Sequence, residues 1–160
     1  ELYNRVPLDY YGFSKNIIAK LTNTLSNGIN LRIFGCFYHN EEITRMIRTN
    51  LCKYINREGL IIHQDRYMDF VYIEDLYNVI HYVLNNRSDV KDINVVYSEK
   101  YKLSDIAKII NDLDNYKVPV IIQENTMGLN YCGNGSSLNS LPIDLFGLEA
   151  GIRECHRLLL

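Results

Sequence analysis

What this chain lacks narrows its function before anything it contains. No apolar run approaches the roughly 20 residues of a membrane-spanning helix, and the opening segment ELYNRVPLDYY has no secretory-signal pattern. No membrane association is expected, and a cytoplasmic location is. Charge of one sign is scarce too: 17 Lys and Arg stand against 19 Asp and Glu, a formal net charge of −2. No basic field draws the chain to nucleic acid, so its partners must be recognised locally. Cysteines are few, at 36, 52, 132 and 155, with no C-x-x-C pair. That spacing argues against a zinc site or a disulfide framework and for buried free thiols. The histidines at 39, 63, 81 and 156 show no ligand spacing either, so no metal is expected.

What is present suits a folded domain. With 160 residues, 47% of them hydrophobic, the chain can bury a real core. Residues 8–26 read as a helix, with Asp9 a candidate cap, Phe13, Ile17 and Leu21 an apolar stripe, and Gly28 available to end it. INLRIFGCF reads as a buried parallel strand. Ile43, Ile47, Leu51 and Ile55 recur every four residues as one helix face, and Gly59 stops the pattern before the apolar LIIH. MDFVYI, INVVYS and VPVII read as strands, EDLYNVIHYVLNN and KLSDIAKIINDL as helices. The span from Gln123 to Asn139, rich in Asn, Gly and Ser, reads as loop. Leu145, Leu148, Ile152, Cys155 and Leu159 mark a C-terminal helix. The alternation predicts an α/β architecture with at least partly parallel strands.

The chemistry is concentrated in DYYGFSKNIIAK. Tyr11 and Lys15 stand one helical turn apart on the same face, roughly opposite the Phe13 stripe and free for a second surface such as a cofactor. A tyrosine of ordinary pKa near ~10 is a poor proton carrier at neutral pH, whereas a fixed cation nearby favours its phenolate. The bland alternative is a solvated Tyr/Lys face. Ser14 reads as packing or capping locally, because no histidine is placed to activate it.

Several segments, in order, resemble the second half of the extended short-chain dehydrogenase/reductase family, in particular its enzymes that modify nucleotide-activated sugars. VPLDYYGFSK is similar to the family's Pro-x-Ser-x-Tyr-Gly-x-Ser-Lys, LRIFGCF to Leu-Arg-x-Phe-Asn-x-Tyr, and MDFVYIEDL to Arg-Asp-Phe-x-Tyr-Val-x-Asp-Leu. INVVYSEKYKLSDIAKII fits the later strand, loop and helix, and GLEAGIRE resembles the terminal Leu-x-x-Gly-Ile helix. The resemblance implies the C-terminal half of a Rossmann-like fold with a small substrate-binding α/β subdomain. Residues 1–36 would end the dinucleotide-binding domain. Residues 37–160 would mostly bind substrate, with MDFVYI and the following helix returning to the core.

The resemblance further implies that Tyr11 is the general acid/base and that Lys15 holds the nicotinamide ribose of NAD or NADP. It points to a nucleotide-diphosphate sugar as substrate and to a homodimer. No G-x-x-G-x-x-G or G-x-G-x-x-G occurs in the sequence, and no Ser or Thr lies among the ten residues before Tyr11. The expectation is therefore a C-terminal fragment, inactive alone, whose cofactor is held mainly by a segment not in this sequence. Met68 stands where the family's diphosphate-binding arginine falls, and Arg66, two residues earlier on the same face of an extended segment, is the candidate replacement or a plain surface residue. Arg45 and Arg48 either clamp phosphate as well or form a solvated helix face. Gly35 replaces the family's substrate-contacting Asn, and Tyr38-His39 its Gly-Pro. Asp69 and Asp75 read as structural. GNGSS reads as a turn that can line the sugar pocket. Two functions remain open: an epimerase or 4-keto reductase, favoured over a dehydratase whose extra acid/base pair usually precedes the tyrosine, or a catalytically silent sugar-nucleotide-binding or assembly module.

Overall fold

The computed structural model describes residues 5–86 and 90–160. Helix α1 (Tyr10–Thr24) starts where Asp9, in extended backbone, accepts the Gly12 N–H at 2.7 Å. The expected strand INLRIFGCF is in fact two, β1 (Asn30–Ile33) and β2 (Cys36–Phe37), in different sheets. A Cβ at Gly35 would stand 2.9 Å from the Phe70 ring and 3.1 Å from the Asp69 carbonyl. The chain crosses between sheets at this close approach, which a run of apolar residues does not reveal.

Helix α2 (Met46–Ile55) buries Ile47, Leu51 and Tyr54, but Ile43 precedes it and is half exposed. Then come β3 (Leu60–Gln64), β4 (Val71–Tyr72), α3 (Ile73–Asn85), β5 (Asp92–Val95), α4 (Leu103–Asn111), β6 (Val120–Glu124), the short α5 (Ser136–Asn139) and α6 (Leu148–Leu159). MDFVYI thus yields only a two-residue strand, because Ile73 already opens α3. The supposed loop 123–139 contains the end of β6 and all of α5.

Each strand pair is parallel: β1 with β5, β2 with β4, and β3 with β6. The architecture is α/β, as the alternation predicts. One core gathers Phe37, Leu51, Tyr54, Ile106, Ile110 and Ile152 from β2, α2, α4 and α6. The other joins Val71, Val79, Ile93 and Val95 with Leu138 of α5.

Helix α1 departs from expectation. Its stripe Phe13, Ile17 and Leu21 is 44%, 40% and 61% exposed, and no α1 residue is buried. It is held to β1 instead by the Asn30 amide, which donates to the Ala19 carbonyl at 3.1 Å and to Asn23 Oδ1 at 2.8 Å. No helix among the described residues is long and apolar enough to cross a membrane.

Candidate functional site

Between α1 and β1 lies a cavity of about 680 Å³. Tyr11, Lys15, Ile18 and Ala19 line it from the helix, Leu31, Ile33 and Phe34 from β1 and the residue after it, and Tyr131 from the far loop. Lys15 Nζ sits 5.4 Å from the centroid of the Tyr11 ring. Tyr11 is 74% exposed, so its phenol is available to a ligand rather than committed to the core. Ser14 donates its hydroxyl to the Tyr11 carbonyl at 2.8 Å, a bond within the helix. The arrangement puts a proton-carrying hydroxyl and a fixed cation on one wall and an aromatic pair on the other: the Phe34 and Tyr131 rings lie 5.0 Å apart, tilted by 57°.

The structure brings Tyr11 and Lys15 together, and it places the other candidates elsewhere. Arg45, Arg48, Arg66 and Gly35 are not in the lining of this cavity. Arg48 donates to the His39 carbonyl and so braces the turn before α2. Its Nε is buried without a hydrogen-bond partner among the described residues. Arg45 is exposed at the cap of α2. Arg66 lies against Gly128, whose added Cβ would come within 3.4 Å of Arg66 Cδ, and its Nε too is buried without a partner among the described residues. Met68 packs on the first core, an apolar role that leaves no charge at that position.

Phe34 and Tyr131 were not candidates from the sequence, and no spacing links them. The segment 67–71 brings them together: the Val71 N–H donates to the carbonyl of Gly35, next to Phe34, and the Asp69 N–H to that of Tyr131. Only Cys155 is fully buried, and all four cysteines are free. Burial pushes the Cys155 thiol up to about 12 and raises Cys36 and Cys132 as well, so none of the three supplies a thiolate nucleophile near neutral pH.

No protein-family model and no curated protein matches the chain. Solved structures do. UDP-N-acetylglucosamine 4-epimerase from Bacillus cereus superposes with a TM-score of 0.76 at 21% identity, over 98% of this chain and 56% of that one. GDP-L-fucose synthetase from Naegleria fowleri, bound to NADP, gives 0.73 at 14% identity, with 98% and 56% covered. UDP-glucuronic acid 4-epimerase from Bacillus cereus, in complex with UDP-glucuronic acid and NAD, gives 0.73 at 16%, with 96% and 53% covered. The fold is that of the C-terminal part of the Rossmann-like extended short-chain dehydrogenases/reductases. Its structural neighbours are nucleotide-sugar epimerases, dehydratases and reductases. The chain spans about half the length of the solved structures it matches.

Proposed function

We propose that this chain is the catalytic and substrate-binding portion of an NAD(P)-dependent nucleotide-sugar epimerase or 4-keto-sugar reductase. The observation that carries the reading is the Tyr11/Lys15 pair, one turn apart and open to a cavity walled by Phe34 and Tyr131. These residues suit the ribose end of a nicotinamide cofactor, because the Lys15 ammonium and the Tyr11 hydroxyl are both donors facing a cavity of suitable size. They do not suit its diphosphate, for which the sequence has no Gly-rich turn. A bound nicotinamide would supply the hydride acceptor and donor. Tyr11 takes the proton from the sugar hydroxyl as that carbon is oxidised and returns it on reduction. Lys15 would hold the cofactor's ribose through its hydroxyls and keeps a positive charge beside Tyr11.

On this reading, residues 1–36 close the dinucleotide-binding unit and 37–160 chiefly hold substrate, although residues 1–4 lie outside those described. Arg66 is the proposed diphosphate contact, and its buried Nε has no hydrogen-bond partner among the described residues. Exposed Arg45 is the next candidate, and Arg48 serves chiefly to hold the preceding turn. A nucleotide-diphosphate sugar is the substrate, a homodimer the assembly and the cytoplasm the location.

The test is Tyr11→Phe in an active protein that carries this chain. Turnover should fall by ~10²-fold or more, the scale of a lost general acid/base. The fold should be intact, since the phenol is mostly solvent-exposed. Near-normal turnover would remove Tyr11 from the mechanism.

A further inference from the structure

We propose that the buried Asp69–Lys100 ion pair positions the aromatic wall of the Tyr11 cavity and so sets affinity for the nucleotide sugar without taking part in proton transfer. The proposal rests on the functional reading above. Asp69, just ahead of β4, is 4% exposed. Its two carboxylate oxygens accept from Lys100 Nζ at 2.9 and 2.8 Å, and Oδ2 also accepts the Gly133 N–H at 2.7 Å. The Asp69 N–H donates to the Tyr131 carbonyl at 3.0 Å, and the Tyr131 N–H to the Tyr67 carbonyl at 2.9 Å. Residues 131–133 are therefore tied to 67–69 by two backbone bonds and one charged bond. That charged bond fixes Gly133. A Cβ at Gly133 would stand 2.6 Å from two carbons of the Phe34 ring, so the ring rests directly on this backbone while Tyr131 packs against it. Phe34 and Tyr131 line the cavity, and Asp69 and Lys100 do not.

A carboxylate this buried is costly unless a charge and hydrogen bonds compensate it. Lys100, with 30% of its side chain exposed, provides the charge and is itself held by donating to the Tyr97 carbonyl at 3.0 Å, so that its pairing with Asp69 ties the segment after β5 to the loop bearing Tyr131. Without the ammonium, Asp69 is an anion held by a single N–H. It must then admit water, which loosens Gly133 and the ring that rests on it. Tyr11 is on a different element, α1, and keeps its place. The substrate thus loses contact equally in its ground and transition states, a loss of uniform binding that raises KM and leaves kcat alone.

The test compares Lys100→Met, Lys100→Arg and Asp69→Asn in an active protein carrying this chain. The substrate is whichever of UDP-N-acetylglucosamine, UDP-glucuronic acid and dTDP-glucose the wild type turns over fastest. Amide hydrogen exchange at Gly133 is followed alongside, with Val95 as the core reference. Lys100→Met should raise KM about tenfold with kcat within about twofold, and speed Gly133 exchange about tenfold relative to Val95. Lys100→Arg should restore KM to within about threefold by returning the charge. Asp69→Asn should fall between, because its amide oxygen still accepts from Gly133. It also decides the matter if Lys100→Met does not fold. Unchanged KM in Asp69→Asn and in a folded Lys100→Met, or a fall in kcat as large as the rise in KM, overturns the positioning role while the functional reading stands. A wild type that turns over none of the three sugars and, with NADH or NADPH, reduces no UDP-, GDP- or dTDP-linked 4-keto sugar overturns both.

Discussion

At Glu41, in the turn between β2 and α2, only 8% of the residue reaches solvent. Burial pushes its carboxyl from the ordinary 4.5 up to about 7, against the opposing pull of Arg45, the Arg48 N–H and the Arg48 guanidinium. The folded value lies above the unfolded one. Its stabilising contribution is therefore fully present below pH 4.5 and is lost as pH rises through about 7. At ~1.4 kcal/mol for each pH unit between the two values, the loss is on the order of 3 kcal/mol. Glu41→Gln keeps the shape and does not titrate. It should match the wild type in urea unfolding near pH 4.5 and exceed it by up to that amount at pH 8. A difference of the same size at both pH values would show that Glu41 does not titrate in this window. No sequence motif marks this residue, whose charge acts on Cys155 of α6, more than a hundred residues further along the chain.

At the scale of elements, Asp75 joins α3 to the start of α6. It has no solvent exposure. Its carboxylate accepts the Phe146 N–H at 2.7 Å and the Gly147 N–H at 3.0 Å, and it also receives the Tyr97 hydroxyl, which in turn accepts the Tyr72 N–H. Burial and this bond hold the Tyr97 phenol firmly protonated. Asp75→Ala strands those donors, so it should cost about 3 kcal/mol in denaturant unfolding, and Tyr97→Phe about 1 kcal/mol. A loss under about 1 kcal/mol in Asp75→Ala would mean that water replaces the network. The sequence shows Asp75 near a helix start, and the dipole argument explains that much. The partners seventy residues away are set by tertiary folding and leave no local trace. The same contrast runs through the other elements. The cap at Asp9 and the four-residue spacing of Ile47, Leu51 and Ile55 were legible because helix geometry acts locally. The break between β1 and β2 was not, since strand partners decide where a buried run changes sheets.

For the whole molecule, the surface around α1 and β1 sets the limit on what the chain does by itself. Asn30 donates its N–H to the Lys91 carbonyl, and in a parallel ladder the alternate residues Leu31 and Ile33 then direct their N–H and C=O to the opposite edge. Among the described residues that edge has no strand partner. The stripe Phe13, Ile17 and Leu21 beside it is also uncovered. The Tyr11 cavity opens at this edge, and its pattern of Tyr and Lys one turn apart was legible from spacing, whereas its aromatic wall was not. A dinucleotide needs more than this cavity provides. Most of its binding comes from backbone N–H groups and a helix N-terminus around the diphosphate, and the sequence carries no Gly-rich turn to form them. Lys15 and Tyr11 can contribute two hydrogen bonds to a ribose, worth about 1.5 to 3 kcal/mol when charged and about 0.5 to 1.5 kcal/mol when neutral. That falls short of the ~8 kcal/mol of a micromolar complex once the entropy of association is met. Isothermal titration of the 160-residue chain with NAD and with NADP should therefore give dissociation constants weaker than about 1 mM. Micromolar binding of either would mean that residues of this chain cradle the diphosphate without a Gly-rich turn.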